Sequence, residues 1–277
     1  MAHLIIPEAE ALLDQEIKVL DRGFIRLVDY LGGDARIVQA ARVSYGHGAK
    51  SVHEDKGLIH YLLRHRHTSP FEQVILTFHA KLPIFVARQW IRHRTARLNE
   101  ISGRYSVMKD EFYLPDPGQV RRQSKTNKQG RGGEAVDAEF AREVIETLRR
   151  EQESIYRNYE GMIGHDIARE LARINLPLSL YTEWYWQIDL HNLFHFINLR
   201  SDEHAQYEIR QYAEAMAQCV RAVAPLAFEA FEEYVRHAAH FFRSELDALR
   251  AMLKGEPCPI ADPRRREEFF DKLKMPN

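Results

Sequence analysis

The sequence predicts an α+β fold. Segments rich in β-formers fall early and again in mid-chain, while helical periodicity dominates the last third. No strand–helix alternation runs through the chain, which disfavours a doubly wound parallel sheet. The third observation is size: 277 residues, 45% of them apolar, suffice for a substantial core. We read residues 1–277 as a single domain, with its core over about 17–240 and a C-terminal extension over 255–277.

Residues 17–20 alternate and read as a strand, and 23–29 as a second strand before the Gly32-Gly33 turn. Asp34 suits the N-cap of a helix through Ile37, Ala40, Ala41 and Val43. A second helix is expected over 51–65, with Leu58, Ile59, Leu62 and Leu63 as its apolar stripe, broken by Thr68-Ser69-Pro70. Residues 74–82 form the clearest strand pattern. Pro83 then suits the first turn of a helix over 84–94. Residues 104–108 and 111–115 read as extended. The polar stretch 118–135, with Lys125 to Lys128 and Gly130 to Gly133, reads as a mobile basic loop rather than a domain linker. Helices are expected over 137–159 and 165–174, a strand over 178–188, and mostly helix over 190–253 with a break near Pro225.

Composition excludes several classes. Lys and Arg number 39 against 40 Asp and Glu, a formal net charge of −1, which argues against a general nucleic-acid binder. Cys219 and Cys258 are the only cysteines and lie far apart, so neither a disulfide framework nor a cysteine-built zinc site is expected. A reducing, cytoplasmic compartment is the default expectation. The first residues lack a basic region and meet Glu8 and Glu10 early, unlike a signal peptide. No apolar run approaches the roughly 20 residues of a membrane span. The 14 histidines are the unusual count, because histidine titrates near neutrality and binds both metals and anions.

The densest chemistry lies over residues 88–104. Arg88, Arg92, Arg94, Arg97, Arg104 and His93 meet a single acid, Glu100. On the expected helix, Arg88 and Arg92 are i,i+4 neighbours, as are Gln89 and His93, leaving Ile84, Phe85 and Ile91 to face a core. The bland alternative is that these cations merely complement a helix C-terminus, by about 0.3–1 kcal/mol each. Against it, so many like charges repel one another unless an anion sits among them. Residues 99–104 read as a polar turn whose donors suit phosphate.

These residues also carry a resemblance. Arg92-His93-Arg94, followed after seven residues by Ser102, is similar to the signature of the flavin-dependent thymidylate synthases, and Asn99, Glu100 and Arg104 extend the match. The pattern departs at Arg97, where the family usually has serine. The stretches 40–44, 67–72, 85–90, 176–182 and 196–200 resemble the family in order, so the likeness runs from about residue 20 to 234. It implies a mainly antiparallel sheet packed against long helices, the thymidylate synthase-complementing protein fold. It implies methylation of dUMP at C5, with methylenetetrahydrofolate as carbon donor, reduced FAD as hydride donor and NADPH as reductant of the flavin. It implies further that no cysteine nucleophile is used. A homotetramer with active sites shared between subunits is implied, with small-molecule partners and neither nucleic acid nor membrane.

Carried residue by residue, the resemblance places dUMP against Arg88, Gln89, Trp90, Ile91, Arg92, Glu100, Ile101, Ser102, Gly103, Arg104, Arg173 and Arg200. It places FAD against Ser44, Ser69, Glu72, Arg92, His93, Arg94, Glu100, Asp189, Leu190, His191 and His195, with His67 near the folate. Arg200 resembles the catalytic arginine at the pyrimidine ring, where a fixed guanidinium would stabilise negative charge developing on an enolate-like uracil. Neither Cys219, on a helix face, nor Cys258, within Glu-Pro-Cys-Pro, has a cationic neighbour that would make it reactive. No metal site is expected. The runner-up is a metal-dependent nucleotide phosphohydrolase using His165, Asp166, His191 and His195. It lacks a compact carboxylate cluster, and Asn192 stands where a zinc-helix motif has its general-base glutamate. A non-catalytic RNA-binding module is disfavoured by the net charge.

Overall fold

The computed structural model describes residues 4–43, 52–125 and 129–274. The chain divides into two compact units, Met1–Ala230 and Phe231–Asn277. Its strands are β1 (Glu16–Val19), β2 (Gly23–Leu31), β3 (Ile75–Pro83), β4 (Arg97–Glu100), β5 (Arg121–Gln123), β6 (Arg131–Ala135) and β7 (Tyr181–Asp189). Its helices are α1 (Pro7–Glu10), α2 (Asp34–Arg42), α3 (Val52–Arg64), α4 (Ile84–Trp90), α5 (Ala138–Gly164), α6 (Arg169–Ala172), α7 (Leu190–Arg200), α8 (Tyr207–Val223), α9 (Pro225–Phe231), α10 (Arg243–Leu253) and α11 (Pro263–Leu273). Among the described residues, no helix is long and apolar enough to cross a membrane.

The main sheet has the order β1-β2-β3-β7-β4, and every pairing in it is antiparallel. This is the α+β architecture that the sequence predicts. Alternation sets its buried face: Leu76, Phe78, Ala80 and Leu82 from β3 lie beside Thr182, Trp184, Trp186 and Ile188 from β7. In β2 the register shifts between Leu27 and Asp29, so the buried positions move from Gly23, Ile25 and Leu27 to Tyr30. Helices α4, α7 and α8 pack on the sheet. At Gly23 a Cβ would stand 2.1 Å from the Tyr212 hydroxyl, so only glycine admits α8 this close to β2.

A second cluster, Met108, Phe112, Tyr156, Tyr159, Ala172 and Leu180, lies against α5. Here the Met108 backbone is clamped: its N–H donates to the Tyr159 hydroxyl at 3.0 Å, and its carbonyl accepts from Tyr156 at 2.9 Å. That clamp fixes the chain just beyond residues 102–104. The second unit has its own small core of Ala248, Ile260 and Phe269, with Cys258 packed against it. Lys272 joins both Glu245 oxygens at 2.7 and 2.8 Å across α10 and α11. The extension expected from residue 255 is therefore part of a helical unit that begins at Phe231.

Several local expectations change. Helix α4 stops at Trp90, with Ile91 as its C-cap, so Arg92, His93 and Arg94 lie in the turn beyond it. The chain must leave the helix there for residues 97–100 to pair with β7. The core side of α4 is Val86, Ala87 and Trp90, whereas Ile91 is exposed. Residues 97–100, expected partly as a turn, form the edge strand β4, and the turn begins at Ser102. Residues 118–135 contain an antiparallel hairpin, β5 with β6, rather than an unstructured loop. Of residues 165–174, only α6 is α-helical, followed by a 3₁₀ turn at Arg173–Asn175. Asp34 does not cap its own helix. Its carboxylate accepts from the Leu226 and Ala227 N–H groups at 2.8 and 2.9 Å, capping α9 from a distance.

Candidate active site

Strand β7 and helix α7 meet the turn after α4 around a cavity of about 460 Å³. Arg92, His93, Arg94, His195 and Arg200 line it, with Thr95, Asn192 and the apolar Ile188 and Leu199. Aromatic packing lies behind its lining. Trp90 is fully buried, with the rings of Trp184, Trp186, Phe196 and Tyr212 centred 4.9–6.0 Å from it. This packing holds the end of α4 rigidly against α7, and so fixes His93 relative to Arg200.

Arg200 ends α7 and donates from Nε to His93 Nε2 at 3.0 Å and from Nη2 to the Gln89 carbonyl at 3.2 Å. A guanidinium has no lone pair to offer, so His93 Nε2 must be the acceptor and its proton resides on Nδ1. Burial, then the neighbouring Arg200 and His195, lower the His93 pKa from 6.5 to about 4. The ring is therefore neutral near pH 7. Burial also lowers the Arg200 pKa, and both partners of its guanidinium are uncharged. Asp202, two residues beyond Arg200 in sequence, bonds His204 instead, at 2.9 Å. Among the described residues, no carboxylate lies within ion-pair distance of Arg88, Arg92, Arg94, Arg97 or Arg200. The cavity thus carries positive charge that no carboxylate among the described residues pairs with, against partly apolar walls.

A second cationic group lies at the turn after β4. A Cβ placed on Gly103 would meet Met108 Sδ at 3.0 Å and Arg173 Cδ at 3.2 Å, so the small residue lets the turn sit against Arg173. Ser102 Oγ accepts from the Arg104 N–H at 3.3 Å. Arg104 touches Glu170 at 3.5 Å, with both side chains mostly exposed, a weak contact that a ligand could displace.

Comparison with known proteins agrees with this geometry. Residues 26–226 match the family model described as thymidylate synthase complementing protein, and residues 239–276 match that described as the thymidylate synthase ThyX C-terminal domain. The chain belongs to the flavin-dependent thymidylate synthases. It is 60% identical over 262 residues to the flavin-dependent thymidylate synthase of Treponema denticola, covering 95% of this chain and 98% of that one. It is 53% identical to that of Treponema pallidum, covering 99% and 90%. Among solved structures, the UMP/dUMP methylase PolB of Streptomyces cacaoi, bound with 5-Br dUMP, superposes with a TM-score of 0.73 at 33% identity, covering 79% of this chain and 99% of that one.

Within this flavin-dependent thymidylate synthase, the expected residues separate into groups. Arg92, His93, Arg94, His195 and Arg200 share one cavity, and Ser102, Gly103, Arg104 and Arg173 share the turn. Gln89 belongs to both the α4 end and a buried chain: its amide bonds Gln206, whose own amide donates to Glu208 at 2.8 Å. Glu100 accepts from Thr182 Oγ1 at 2.6 Å at the exposed end of β4. Ile91 and Ile101 are exposed, and the Ile101 N–H is taken by the Glu183 carbonyl at 2.9 Å.

Other residues lie elsewhere. Trp90 and Leu190 are fully buried, so their side chains support the site from behind rather than reaching a ligand. Asp189 is the N-cap of α7, and both its oxygens are taken by Asn192 at 2.9 and 2.8 Å. That order puts Asn192, not Asp189, on the cavity wall. His191 lies in the first turn of α7, and of the histidine pair only His195 lines the cavity. Ser69 lines a different cavity, with Arg36, Gln39 and Gln73. Glu72 accepts from Thr68 Oγ1 at 3.4 Å, and the His67 ring lies 6.0 Å from that of Tyr61. Ser44 lies outside the described residues.

Sequence reasoning missed Asn192, Thr95 and Leu199 at the cavity, and Gln206 and Glu208 behind Gln89. The spacing of Gln206 and Glu208 at the start of α8 gave no signal, because an acid in a first helical turn is ordinarily a solvated residue.

Proposed function

We propose that this chain converts dUMP to dTMP by reductive methylation, with methylenetetrahydrofolate as the carbon source, FAD as the bound flavin and NADPH as the reductant. The observation that carries this reading is Arg200, a partly buried guanidinium supported only by neutral acceptors, His93 Nε2 and the Gln89 carbonyl. Such an arginine holds its full charge for a ligand that is, or becomes, anionic.

The residues fit both a nucleotide and a flavin. Arg104, Ser102 and the Gly103 N–H would hold the dUMP phosphate with Arg173, leaving Arg88, Gln89 and Arg200 for the rest of the nucleotide. Arg92, Arg94, His93 and His195, with Ile188 and Leu199, offer donors and apolar walls suited to a flat, electron-rich ring. When bound, the flavin supplies the hydride equivalent. Arg200 would orient the uracil ring and favour the charge distribution that makes C5 nucleophilic. Neutral His93 accepts from Arg200, so it aims the guanidinium without competing for the anion. Cys219 takes no part: burial pushes its thiol up to about 12, far from a thiolate at neutral pH.

We also infer a homotetramer with shared sites. The support is that Ser69, Glu72 and His67 do not line the arginine cavity of their own chain. A neighbouring copy would bring them to it.

The test is direct. The purified protein is expected to show flavin absorbance, bleached anaerobically by NADPH, and to form dTMP only when dUMP, methylenetetrahydrofolate and NADPH are all present. A colourless protein, or dTMP formation without reductant, overturns the reading. Nothing in the site favours the phosphohydrolase: among the described residues, no group of three or more His, Cys, Asp or Glu is placed to hold a metal ion.

A further inference from the structure

The β5–β6 hairpin and the start of α8 enclose a second cavity, of about 330 Å³, distinct in its lining from the one at Arg200. Four arginines line it: Arg121 and Arg122 from β5, Arg131 from β6, and Arg210 from the first turns of α8. Glu203 is the one acid among its lining residues. Arg131 is held by the fully buried Glu208, so its charge is spent within the protein. The other three are not. Among the described residues, the Arg121 side chain donates only to the Gly118 carbonyl, at 3.1 Å. Arg122 has no hydrogen-bond or ion-pair partner among the described residues. Arg210 has a buried Nε without a hydrogen-bond partner. A buried, unpaired guanidinium N–H is costly and calls for an acceptor. Helix α8, 17 residues long, begins at the same cavity, and its N-cap Gln206 makes no side-chain capping bond. Its first amides add to the positive field.

The cavity is also wired to the first site. Glu208 receives the Tyr113 hydroxyl at 2.8 Å and the Arg131 guanidinium, and Gln206 links Glu208 to the Gln89 amide. The hairpin is thereby fastened, through three buried or half-buried side chains, to the helix whose end carries Arg200's carbonyl acceptor.

We propose that this cavity is a subsite for the multiply charged anionic tail of a co-substrate, bound by Arg121, Arg122 and Arg210 while the reacting end occupies the arginine cavity. The shared chemistry is a string of anionic oxygens. It could come from the glutamyl carboxylates of a polyglutamylated folate or from the phosphates of the nicotinamide dinucleotide. The inference rests on the function proposed above, and the two fail separately: an inactive native enzyme defeats that function, whereas unaltered variants defeat only the subsite.

The test uses the flavin-loaded full chain and two variants, Arg122→Ala and Arg121→Ala/Arg122→Glu. Both arginines are exposed, so the fold should survive; circular dichroism and flavin content check this. The folate arm compares KM for the mono- and pentaglutamyl forms of methylenetetrahydrofolate. The dinucleotide arm measures KM for NADPH, and calorimetric binding of the adenosine bisphosphate fragment of NADPH. A rise of about tenfold in one of these constants is expected, the loss of one charged contact worth about 1.4 kcal/mol, with kcat and the dUMP KM within twofold of native. A lost preference for pentaglutamate identifies the folate tail. A raised NADPH KM with weakened fragment binding identifies the dinucleotide. If both constants and fragment binding stay within twofold of native in the charge-reversed variant, or if only kcat falls, the subsite is overturned.

Discussion

At the scale of single residues, the proposed chemistry rests on Arg200. Its two neutral partners fix the guanidinium plane, and lysine could not reach both with one ammonium group. Arg200→Lys is expected to keep dUMP binding within several-fold and to cut the turnover number by about 100-fold, the size seen when one preorganised donor is lost. Near-native turnover would remove Arg200 from the role assigned. His93 sets a pH dependence. Its pKa is about 4 in the folded chain against 6.5 for the free side chain. Between those values the unfolded state binds the extra proton, so this contribution to stability is intact above about pH 6.5 and is lost as pH falls towards 4. His93→Gln is expected to flatten the melting temperature over that window. An unchanged acid slope would show that other groups govern it. Cys258 packs at the edge of the second unit's core with no role in the site, so Cys258→Ala should leave turnover within twofold of native. A large loss would reopen thiol chemistry.

Elements are positioned by polar contacts that cross long stretches of chain. Asp34 caps α9 some 190 residues away in sequence. Burial raises its pKa, against which the two backbone donors work. Asp34→Ala should destabilise the chain by about 1–2 kcal/mol in urea unfolding, the loss typical of an N-cap. No shift in midpoint would mean that water replaces the carboxylate. Glu208 is more demanding. Burial alone would raise its pKa, but Arg131 and the Tyr113 hydroxyl hold it below the usual glutamate value. Glu208→Ala strands both partners and is expected to cost about 3 kcal/mol. Because the same carboxylate steadies Gln206 and through it Gln89, the dUMP KM should rise as well; a stability loss with native kinetics would confine Glu208 to the fold.

The whole molecule raises the question of how one chain's separate clusters become one site. Ser69, Glu72 and His67 do not line the arginine cavity of their own chain. Shared sites predict complementation: chains carrying Arg200→Lys and chains carrying Glu72→Ala, each weakly active alone, should recover activity when co-expressed, because some mixed sites receive two native halves. No recovery in verified mixed oligomers would mean that each chain builds its own site. At this scale too, the net charge of −1 conceals a strong internal asymmetry. Positive charge gathers at two cavities, while acids such as Asp34, Glu208 and Glu245 are consumed by caps and internal ion pairs.

What the sequence determined by itself was local and periodic. The β-forming and aromatic residues of 74–82 and 178–188 specified β3 and β7, because such side chains fit a pleated, half-buried surface wherever it lies in the fold. The clustering of Arg92, His93, Arg94 and Arg104 was legible as a local excess of positive charge, because it is a property of neighbouring letters, and it motivates the anion site proposed above. The tertiary structure decided what depended on distant partners. Helix α4 ends at Trp90 because the following chain must reach the edge of β7, which no residue between 84 and 94 announces. Asp189 became the cap of α7 and Asp34 the cap of a distant helix rather than of its own, since N–H groups claimed their oxygens. Glu208 and Arg210 acquired meaning only when the β5–β6 hairpin folded over them, for the cost of burying a charge is a property of its surroundings and not of its letter.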